Sequence, residues 1–218
     1  MRRSLIVVPA VISVFLCICV YAIGAETVRP VSLRCEYLKD PLGIDVLNPR
    51  LSWKLKSARQ GESQTAYHVL VASSQDKLDN DAGDLWDTGK VKTDQSIHIA
   101  YKGKSLQSHM QCFWKVRLWD KDGKASSWSK TAMWSMGLLD SKEWQAKWIG
   151  LDPARGGMRP WGKVKNGGRE LPARYVRREF TVNKKIKRAT AYVCGLGFFD
   201  LFVNGREVGN DLMPRMYW

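Results

Sequence analysis

The 218-residue sequence has only three histidines and five cysteines, and this scarcity excludes several kinds of chemistry. His68, His98 and His109 are dispersed, so their spacing does not predict a metal site. The sequence contains no G-x-S-x-G motif, and no cysteine and histidine are spaced as a nucleophile and its base. We therefore predict no bound metal and no other cofactor.

Cysteine is also too sparse for a disulfide framework. Cys17 and Cys19 fall in an apolar N-terminal run, which leaves Cys35, Cys112 and Cys194 well separated along the rest of the chain. We expect these three residues to be buried free thiols, although their spacing does not exclude a disulfide between two of them.

The N-terminus has the order of a secretory signal. Arg2 and Arg3 precede an apolar run from Leu5 to about Ile23, and small residues follow at 22–25. This order predicts a signal peptide over residues 1–25 and export to the periplasm or the extracellular space. The run is long enough to nearly span a bilayer, so an uncleaved membrane anchor is the alternative.

Residues 26–139 predict a β-sandwich. Apolar and polar residues alternate with the period of half-buried strands, and turn signals separate the runs. The candidate strands are 31–38, 51–55, 67–71, 96–101, 114–118 and 131–138. One short helix is predicted at 73–81, with Ser74 as its N-cap. About seven strands in about 110 residues are typical of a β-sandwich. Its predicted core is formed by Trp53, Tyr67, Val69, Trp114 and Val116.

The stretch DPLGIDVLNPRLSWKL (40–55) contains Asp40 and Asp45 among two prolines and a glycine. Two acids in one loop could be a catalytic pair. Short acids beside proline and glycine are also ordinary turn residues, because their carboxylates accept backbone N–H bonds. We favour the turn interpretation, since nothing nearby in the sequence predicts a cavity for a substrate.

Residues 140–218 predict a second region of antiparallel β-structure. A loop rich in glycine, proline and basic residues (151–173) comes first, and strands are predicted at 174–182, 188–196 and 198–209. Asn204-Gly205 is a strong signal for a two-residue hairpin turn. These strands are too few to complete a sheet without bare edges.

Aromatic and basic side chains suggest two surfaces. Trp119, Trp128 and Trp134 could stack with Lys115 and Arg117 on an outer sheet face, and the run SSWSKTAMWS resembles the Trp/Ser motif of cytokine-receptor modules. We favour a packing role for these residues over a ligand platform. In the 151–173 loop, the candidates for carbohydrate contact are Trp161, Arg159, Lys163 and Lys165.

Several runs occur in the order found in a known enzyme family. They are LRCEYLKDPLGIDVLNPRLSWKL, QTAYHVLVAS, LWDTGKV, FWKVRLWDKDGKASSWS, EWQAKWIG, ARYVRREFTV and GLGFFDLFVNGREVG. Together they resemble the N-terminal part of bacterial α-L-rhamnosidases of glycoside hydrolase family 78. The sequence departs from the family at Cys112, where a tyrosine is usual, and after Pro214, where the family continues with further strands.

The resemblance implies a fibronectin-III-like or immunoglobulin-like sandwich followed by a partial second antiparallel β-sandwich of jelly-roll type, which is the start of the rhamnosidase N-terminal domain. It also implies that the catalytic acids belong to an (α/α)6 barrel that this sequence lacks. We therefore expect a non-catalytic part of a secreted α-L-rhamnosidase that has a scaffolding role and takes part in carbohydrate recognition. The alternative is a stand-alone carbohydrate-binding or adhesion module.

Charge is concentrated in the second region. The formal net charge is +14, and residues 147–188 contain thirteen basic and three acidic residues. An exported chain seldom meets nucleic acid, so we expect none as a partner. Because the resemblance implies rhamnose-containing plant polysaccharides, some of which are acidic, such a polymer is the expected partner, together with the catalytic domain of the parent enzyme. A solvated basic face is the alternative.

Overall fold

The computed structural model describes residues 28–149, 175–195 and 199–208. The predicted signal peptide lies outside them. The chain divides into two units, Met1–Glu143 and Trp144–Trp218. Among the described residues, no helix combines the length and the apolar character that a membrane span requires.

The described part of the first unit, residues 28–143, contains eight strands and one α-helix. In chain order they are β1 (Arg29–Cys35), β2 (Arg50–Lys56), β3 (Ala66–Ala72), α1 (Gln75–Asp79), β4 (Trp86–Asp87), β5 (Val91–Lys92), β6 (Ile99–Ala100), β7 (Gln111–Trp119) and β8 (Ala132–Ser135). A 3-10 turn at Ser141–Glu143 ends the unit. The helix is capped by Ser74, whose hydroxyl accepts a hydrogen bond from the backbone N–H of Lys77, as predicted.

Two antiparallel sheets form the predicted sandwich. One has the order β1-β2-β6, and the other has the order β4-β3-β7-β8, with β5 also paired to β3. The longest pairing joins β3 and β7 over seven residues, from Ala66 opposite Trp119 to Ala72 opposite Phe113. The fold is thus almost entirely β-structure, and the all-β prediction is confirmed.

The core lies between the sheets, where alternate side chains of facing strands meet. All five predicted core residues are buried there: Trp53, Tyr67, Val69, Trp114 and Val116. Trp134 on β8 is also buried completely and packs edge-on against Tyr101. The prediction that Trp134 lies on the outer face is therefore wrong. Trp134 lies opposite Cys112 in the β7–β8 pair, so both side chains point to the same side of the sheet. Cys112 is also buried, which makes this side the inner one.

The outer face of β3 is partly covered as well. Leu70 and Ala72 form a small second cluster with Leu78 of α1, and Phe113 and Trp128 pack against it. This cover explains why β3 reads as an almost continuous apolar run rather than a clean alternation.

The described part of the second unit contains one hairpin. Strands β9 (Phe202–Val203) and β10 (Arg206–Glu207) are joined by Asn204 and Gly205, which both have positive φ, at 51° and 76°. These angles fit the predicted two-residue turn. Residues 175–182 and 188–195 form no regular strand, so those two strand predictions are wrong for the described residues. A strand needs a hydrogen-bonded neighbour, and period-2 patterning alone does not supply one.

Candidate functional site

Asp40 holds the loop between β1 and β2 (residues 36–49, the β1–β2 loop) against β8. Its side-chain Oδ1 accepts a hydrogen bond of 3.0 Å from the backbone N–H of Met133, and its own φ is 46°. Asp45 is exposed in the same loop. The turn interpretation is therefore confirmed for Asp40, since its carboxylate is already bound to the backbone.

Five described carboxyl groups have pKa values below their ordinary range. A side-chain hydrogen bond from Arg50 lowers the pKa of Glu36, one from Lys115 lowers that of Asp81, and one from Ser108 lowers that of Glu143. For Asp84 and Asp87, burial acts in the opposite direction but is outweighed by hydrogen bonds.

Asp84 receives these bonds from Lys77 and Ser73, which lower its pKa to about 2. Asp87 receives them from Gly89 and His68, which also lower its pKa. A glycosidase general acid must stay protonated near neutral pH, which requires a raised pKa. None of these five groups meets that requirement.

Four cationic and aromatic side chains on the outer face of β7 and the loop after it form an alternating stack, which we call the ladder: Lys115, Trp128, Arg117 and Trp119. The Arg117 guanidinium carbon lies 4.6 Å from the ring centroid of Trp128 and 5.3 Å from that of Trp119. Lys115 Nζ lies 5.0 Å from the Trp128 ring. Outside the ladder, Lys90 Nζ lies 4.4 Å from the Trp119 ring. Each indole is therefore contacted by two cations, which favours packing over a ligand platform.

The segment with the Trp/Ser pattern holds the ladder in place through its serines. Ser126 Oγ accepts a hydrogen bond from the backbone N–H of Leu118, and Ser129 Oγ accepts one from that of Val116. The same serines donate their backbone N–H groups to the carbonyls of Leu118 and Val116, each at 2.8 Å. The segment therefore binds along β7 as an irregular extra edge, and this places Trp128 over Arg117.

Histidines and cysteines do not form a reactive centre in the described structure. His68 Nε2 lies 2.6 Å from Asp87 Oδ1, and His98 Nε2 lies 2.6 Å from the Tyr37 hydroxyl. The described residues contain no cluster of three or more histidine, cysteine or acidic side chains that could hold a metal.

Cys35 and Cys112 are buried free thiols, and burial raises the pKa of each to about 12, so neither is a reactive thiolate. Cys194 is an exposed free thiol, so the prediction that it is buried is wrong. It belongs to the run at 188–195 that forms no strand, and no sheet therefore covers it.

Trp161, Arg159, Lys163 and Lys165 lie outside the described residues, so their role in carbohydrate contact stays a prediction. The structure instead shows a surface that the sequence reasoning missed. Exposed apolar side chains cluster in the β1–β2 loop, among them Leu42 with 77% of its surface accessible and Leu47 with 57%. One indication of this surface was present in the sequence, because three apolar residues lie between turn signals: Leu42, Val46 and Leu47. Their spacing follows neither a strand nor a helix period, so it did not predict a surface.

Comparisons with known proteins agree with this organisation. The model of the Rha78A-like N-terminal immunoglobulin domain matches residues 30–140, and that of the α-L-rhamnosidase N-terminal domain matches residues 184–217. The α-L-rhamnosidase of Dictyoglumus thermophilum is a structural neighbour with 42% identity and a TM-score of 0.55 over 57% of this chain and 14% of its own. The α-L-rhamnosidase of Streptomyces avermitilis, whose structure is complexed with L-rhamnose, has 44% identity and a TM-score of 0.55 over 59% of this chain and 12% of its own.

Curated relatives are longer than this chain. An α-L-rhamnosidase of Formosa agariphila is 39% identical over 80% of this chain and 19% of its own length. One from Streptomyces avermitilis is 38% identical over 84% of this chain and 18% of its own length. One from Alteromonas sp. (strain LOR) is 34% identical over 87% of this chain and 20% of its own length. The chain thus spans about a fifth of the length of these relatives. Since the immunoglobulin-domain model matches more than half of the chain, the chain belongs to the family of Rha78A-like N-terminal immunoglobulin domains and corresponds to the N-terminal region of α-L-rhamnosidases.

Proposed function

We propose that this chain is the non-catalytic N-terminal part of a secreted α-L-rhamnosidase, an enzyme that removes terminal α-L-rhamnosyl residues from plant-type glycans. The observation that carries the proposal is the match of both units to the N-terminal region of α-L-rhamnosidases. In this role the chain is a structural support, and other parts of the polypeptide carry out hydrolysis.

The chemistry of the acids supports a non-catalytic role. Inverting hydrolysis needs one carboxylic acid to protonate the leaving oxygen and one carboxylate to activate water, about 6.5–9.5 Å apart. Among the described residues, Asp122 is paired with Arg59 at 2.8 Å, Glu179 is paired with Arg177, and Glu143 accepts a hydrogen bond from Ser108. The oxygens of these carboxyl groups are thus already engaged by cations or a hydroxyl, and none of the three groups faces another in the arrangement that inverting hydrolysis needs.

An activity assay tests the proposal. The purified chain should release no nitrophenol from an aryl α-L-rhamnoside above the level without protein. The α-L-rhamnosidase of Streptomyces avermitilis serves as the positive control. Turnover that is lost when Glu143 or Asp122 is replaced by the matching amide would show that the chain itself is a catalytic module.

Carbohydrate recognition is proposed for the basic loop at 151–173. Its aromatic residue Trp161 can stack on a sugar ring, and Arg159, Lys163 and Lys165 can pair with uronate groups of an acidic, rhamnose-containing polysaccharide. Such surface pairs weaken with salt, because the screening length falls to about 8 Å at physiological ionic strength.

Retention on immobilised rhamnogalacturonan at low and high salt tests this proposal. Replacing Arg159, Lys163 and Lys165 by glutamine should release the chain at lower salt. The matched control replaces Lys184, Lys185 and Lys187, which removes the same charge outside the loop. Equal retention on a neutral glucan, or an equal effect of both triple variants, would contradict recognition by the loop.

Export is proposed from the N-terminal sequence alone. Sequencing of the protein recovered from the periplasm or medium should find a new N-terminus near residue 25 or 26. A chain that stays in the membrane fraction with Met1 intact would instead support the anchored form.

A further inference from the structure

The β1–β2 loop exposes a group of large apolar side chains, which we call the apolar patch. Its members are Tyr37, Leu38, Leu42, Val46 and Leu47, each with between 41% and 77% of its surface accessible. Single exposed apolar residues are ordinary, but a group confined to one loop is typical of an interaction surface.

The loop that carries the patch is fixed rather than loosely attached. Three backbone–backbone hydrogen bonds join it to β8 and to Gly137 beyond that strand: Ser135 N–H to Pro41 O, Ile44 N–H to Ser135 O, and Gly137 N–H to Ile44 O, at 2.7–3.0 Å. The Gly43 N–H adds a bond of 3.0 Å to the Ser135 side-chain Oγ. The Asp40 carboxylate adds the bond to Met133. The loop backbone at residues 40–44, which carries Leu42, is therefore held in one arrangement, and this lowers the entropy lost when a partner binds.

The start of the loop, which carries Tyr37, has an unfavourable backbone conformation. Glu36 and Tyr37 have φ values of 48° and 65°, in the left-handed region that non-glycine residues avoid. The turn is closed by reciprocal backbone bonds between Cys35 and Leu38. Arg50 stabilises it from the side, because it bonds to the Glu36 carboxylate at 2.6 Å and lies 5.1 Å from the Tyr37 ring centroid.

The size of the patch indicates what kind of partner covers it. Five large apolar side chains that are about half exposed present on the order of 500 Å², the size of the largest patch on a typical monomer. A stable complex between separate proteins buries about 800 Å² on each partner. Contacts between domains of one polypeptide are as small as about 600 Å² in total, because the tether supplies a high effective concentration.

We propose that the apolar patch is the surface on which another domain of the same α-L-rhamnosidase polypeptide docks. The relatives supply such an occupant, since about four-fifths of their length lies outside the part that this chain matches. This inference rests on the proposed function, because it takes the occupant to be the rest of a rhamnosidase. The occupant must present an apolar surface, so a charge placed within the patch opposes docking.

A chimera tests the docking. The complete chain replaces the matching region of the Streptomyces avermitilis α-L-rhamnosidase, and calorimetry measures its thermal transitions. The double variant Leu42→Asp/Leu47→Asp should lower the midpoint of the sandwich transition by at least about 3 °C in the chimera. In the chain alone, the same variant should leave the midpoint unchanged, because both side chains are already exposed.

The matched control is Ala58→Asp/Gln60→Asp, which adds the same charge at exposed positions beyond the far end of β2 and should be silent in both proteins. If the full chimera gives no folded protein, residues 36–49 alone are grafted into the relative, and the same two substitutions are measured there. Equal midpoints for patch and control variants would overturn the proposal. Sedimentation of the chain alone provides a second test, since a dimer that the patch variant abolishes would assign the patch to a second copy instead.

The failure of this inference is distinguishable from failure of the proposed function. If the chimera hydrolyses an aryl α-L-rhamnoside and the patch variant is silent, the docking proposal fails while the accessory role stands. If the chain alone hydrolyses the same substrate, the accessory role fails, whether or not the patch variant changes the thermal midpoint.

Discussion

At the scale of single residues, Trp53 shows how one polar contact fixes a large aromatic side chain in the core. Its indole Nε1 donates to Gln64 Oε1 at 3.0 Å, and Gln64 Nε2 in turn donates to the carbonyl of Gln95 at 2.8 Å. Trp53 is 2% exposed and packs edge-on against Tyr67. The strand therefore carries a buried amide–indole pair whose polar atoms are satisfied.

We predict that Trp53→Ala lowers the free energy of unfolding by about 3–5 kcal/mol, because it empties a buried aromatic site. Trp53→Phe is the control that keeps a ring but leaves the Gln64 oxygen unpaired, at a cost of about 1–3 kcal/mol. Urea unfolding followed by circular dichroism measures both. If Trp53→Ala is silent, the side chain does not pack as the structure places it.

Asp84 gives the first unit a predictable dependence on pH. Burial opposes its ionisation, but bonds from Lys77 Nζ at 2.7 Å and from the N–H and hydroxyl of Ser73 outweigh burial and lower its pKa from 3.8 to about 2. A carboxyl with a depressed pKa in the folded state stabilises the fold above its unfolded pKa, and that contribution is lost as the pH falls through the folded pKa.

Between about pH 4 and pH 2, the protein should therefore lose on the order of 1 kcal/mol of stability through Asp84. Asp84→Asn should lose this part of the pH dependence and be less stable at pH 7. Asp94→Asn, at an exposed position, is the matched control and should keep the dependence. Urea titrations at pH 7, 4 and 2.5 make the comparison. The same pH dependence in all three proteins would contradict the assignment.

At the scale of elements, the ladder attaches an irregular segment to a regular strand. Trp128 packs on the small cluster above β3, lies between Arg117 and Lys115, and is 5.1 Å from the His68 ring. We predict that Trp128→Ala lowers the free energy of unfolding by about 2–3 kcal/mol, from lost burial and lost cation–π contacts.

The control for Trp128 is Trp148→Ala, at a side chain that is 69% exposed and should cost less than about 0.5 kcal/mol. Retention of both variants on rhamnogalacturonan should equal that of the unaltered chain. Reduced retention of Trp128→Ala without loss of stability would instead make the ladder a ligand platform.

The sequence predicted the elements that carry their own periodic signal. Strands β2, β3 and β7 are seven to nine residues long and carry apolar residues at their inward positions, and α1 has its cap in the sequence. Strands β4 and β5 were not among the predictions, because two residues each show no period. The runs at 175–182 and 188–195 show the opposite error, since they have a strand pattern but no strand beside them in the described structure.

The candidate site was less predictable than the fold. The turn role of Asp40 follows from local chemistry, and so does the stacking of Lys115 and Arg117 on tryptophan. Local chemistry does not predict which tryptophans take part in the stacking. That depends on which face of β8 is buried, and Trp134 lies on the inner face. The apolar patch depends on how the β1–β2 loop lies against β8, which is a contact between positions about ninety residues apart.

At the scale of the whole molecule, the first unit closes its own structure at its C-terminal end. The backbone N–H of Leu139 donates to Ser108 Oγ at 2.9 Å, and the Ser108 hydroxyl donates to Glu143 Oε2 at 2.5 Å. Glu143 also accepts a bond from the backbone N–H of Asp140 at 3.2 Å. The 3-10 turn at 141–143 therefore joins the end of the first unit to the loop before β7, and the unit extends to Glu143.

The fragment 28–143 should consequently unfold in one cooperative transition, because it contains both sheets and every residue of the main core. The shorter fragment 28–139 lacks Glu143, which leaves the Ser108 hydroxyl without its acceptor, and it should be less stable by about 1 kcal/mol. Glu143→Gln in the longer fragment keeps an acceptor and should recover part of that difference, whereas Glu143→Ala should reproduce the shorter fragment. Urea unfolding of the four proteins at pH 7, followed by tryptophan fluorescence and circular dichroism, gives the comparison. Non-coincident transitions by the two probes in 28–143, or equal stability of 28–139 and 28–143, would show that the sandwich does not end where the hydrogen bonds of Ser108 place its boundary.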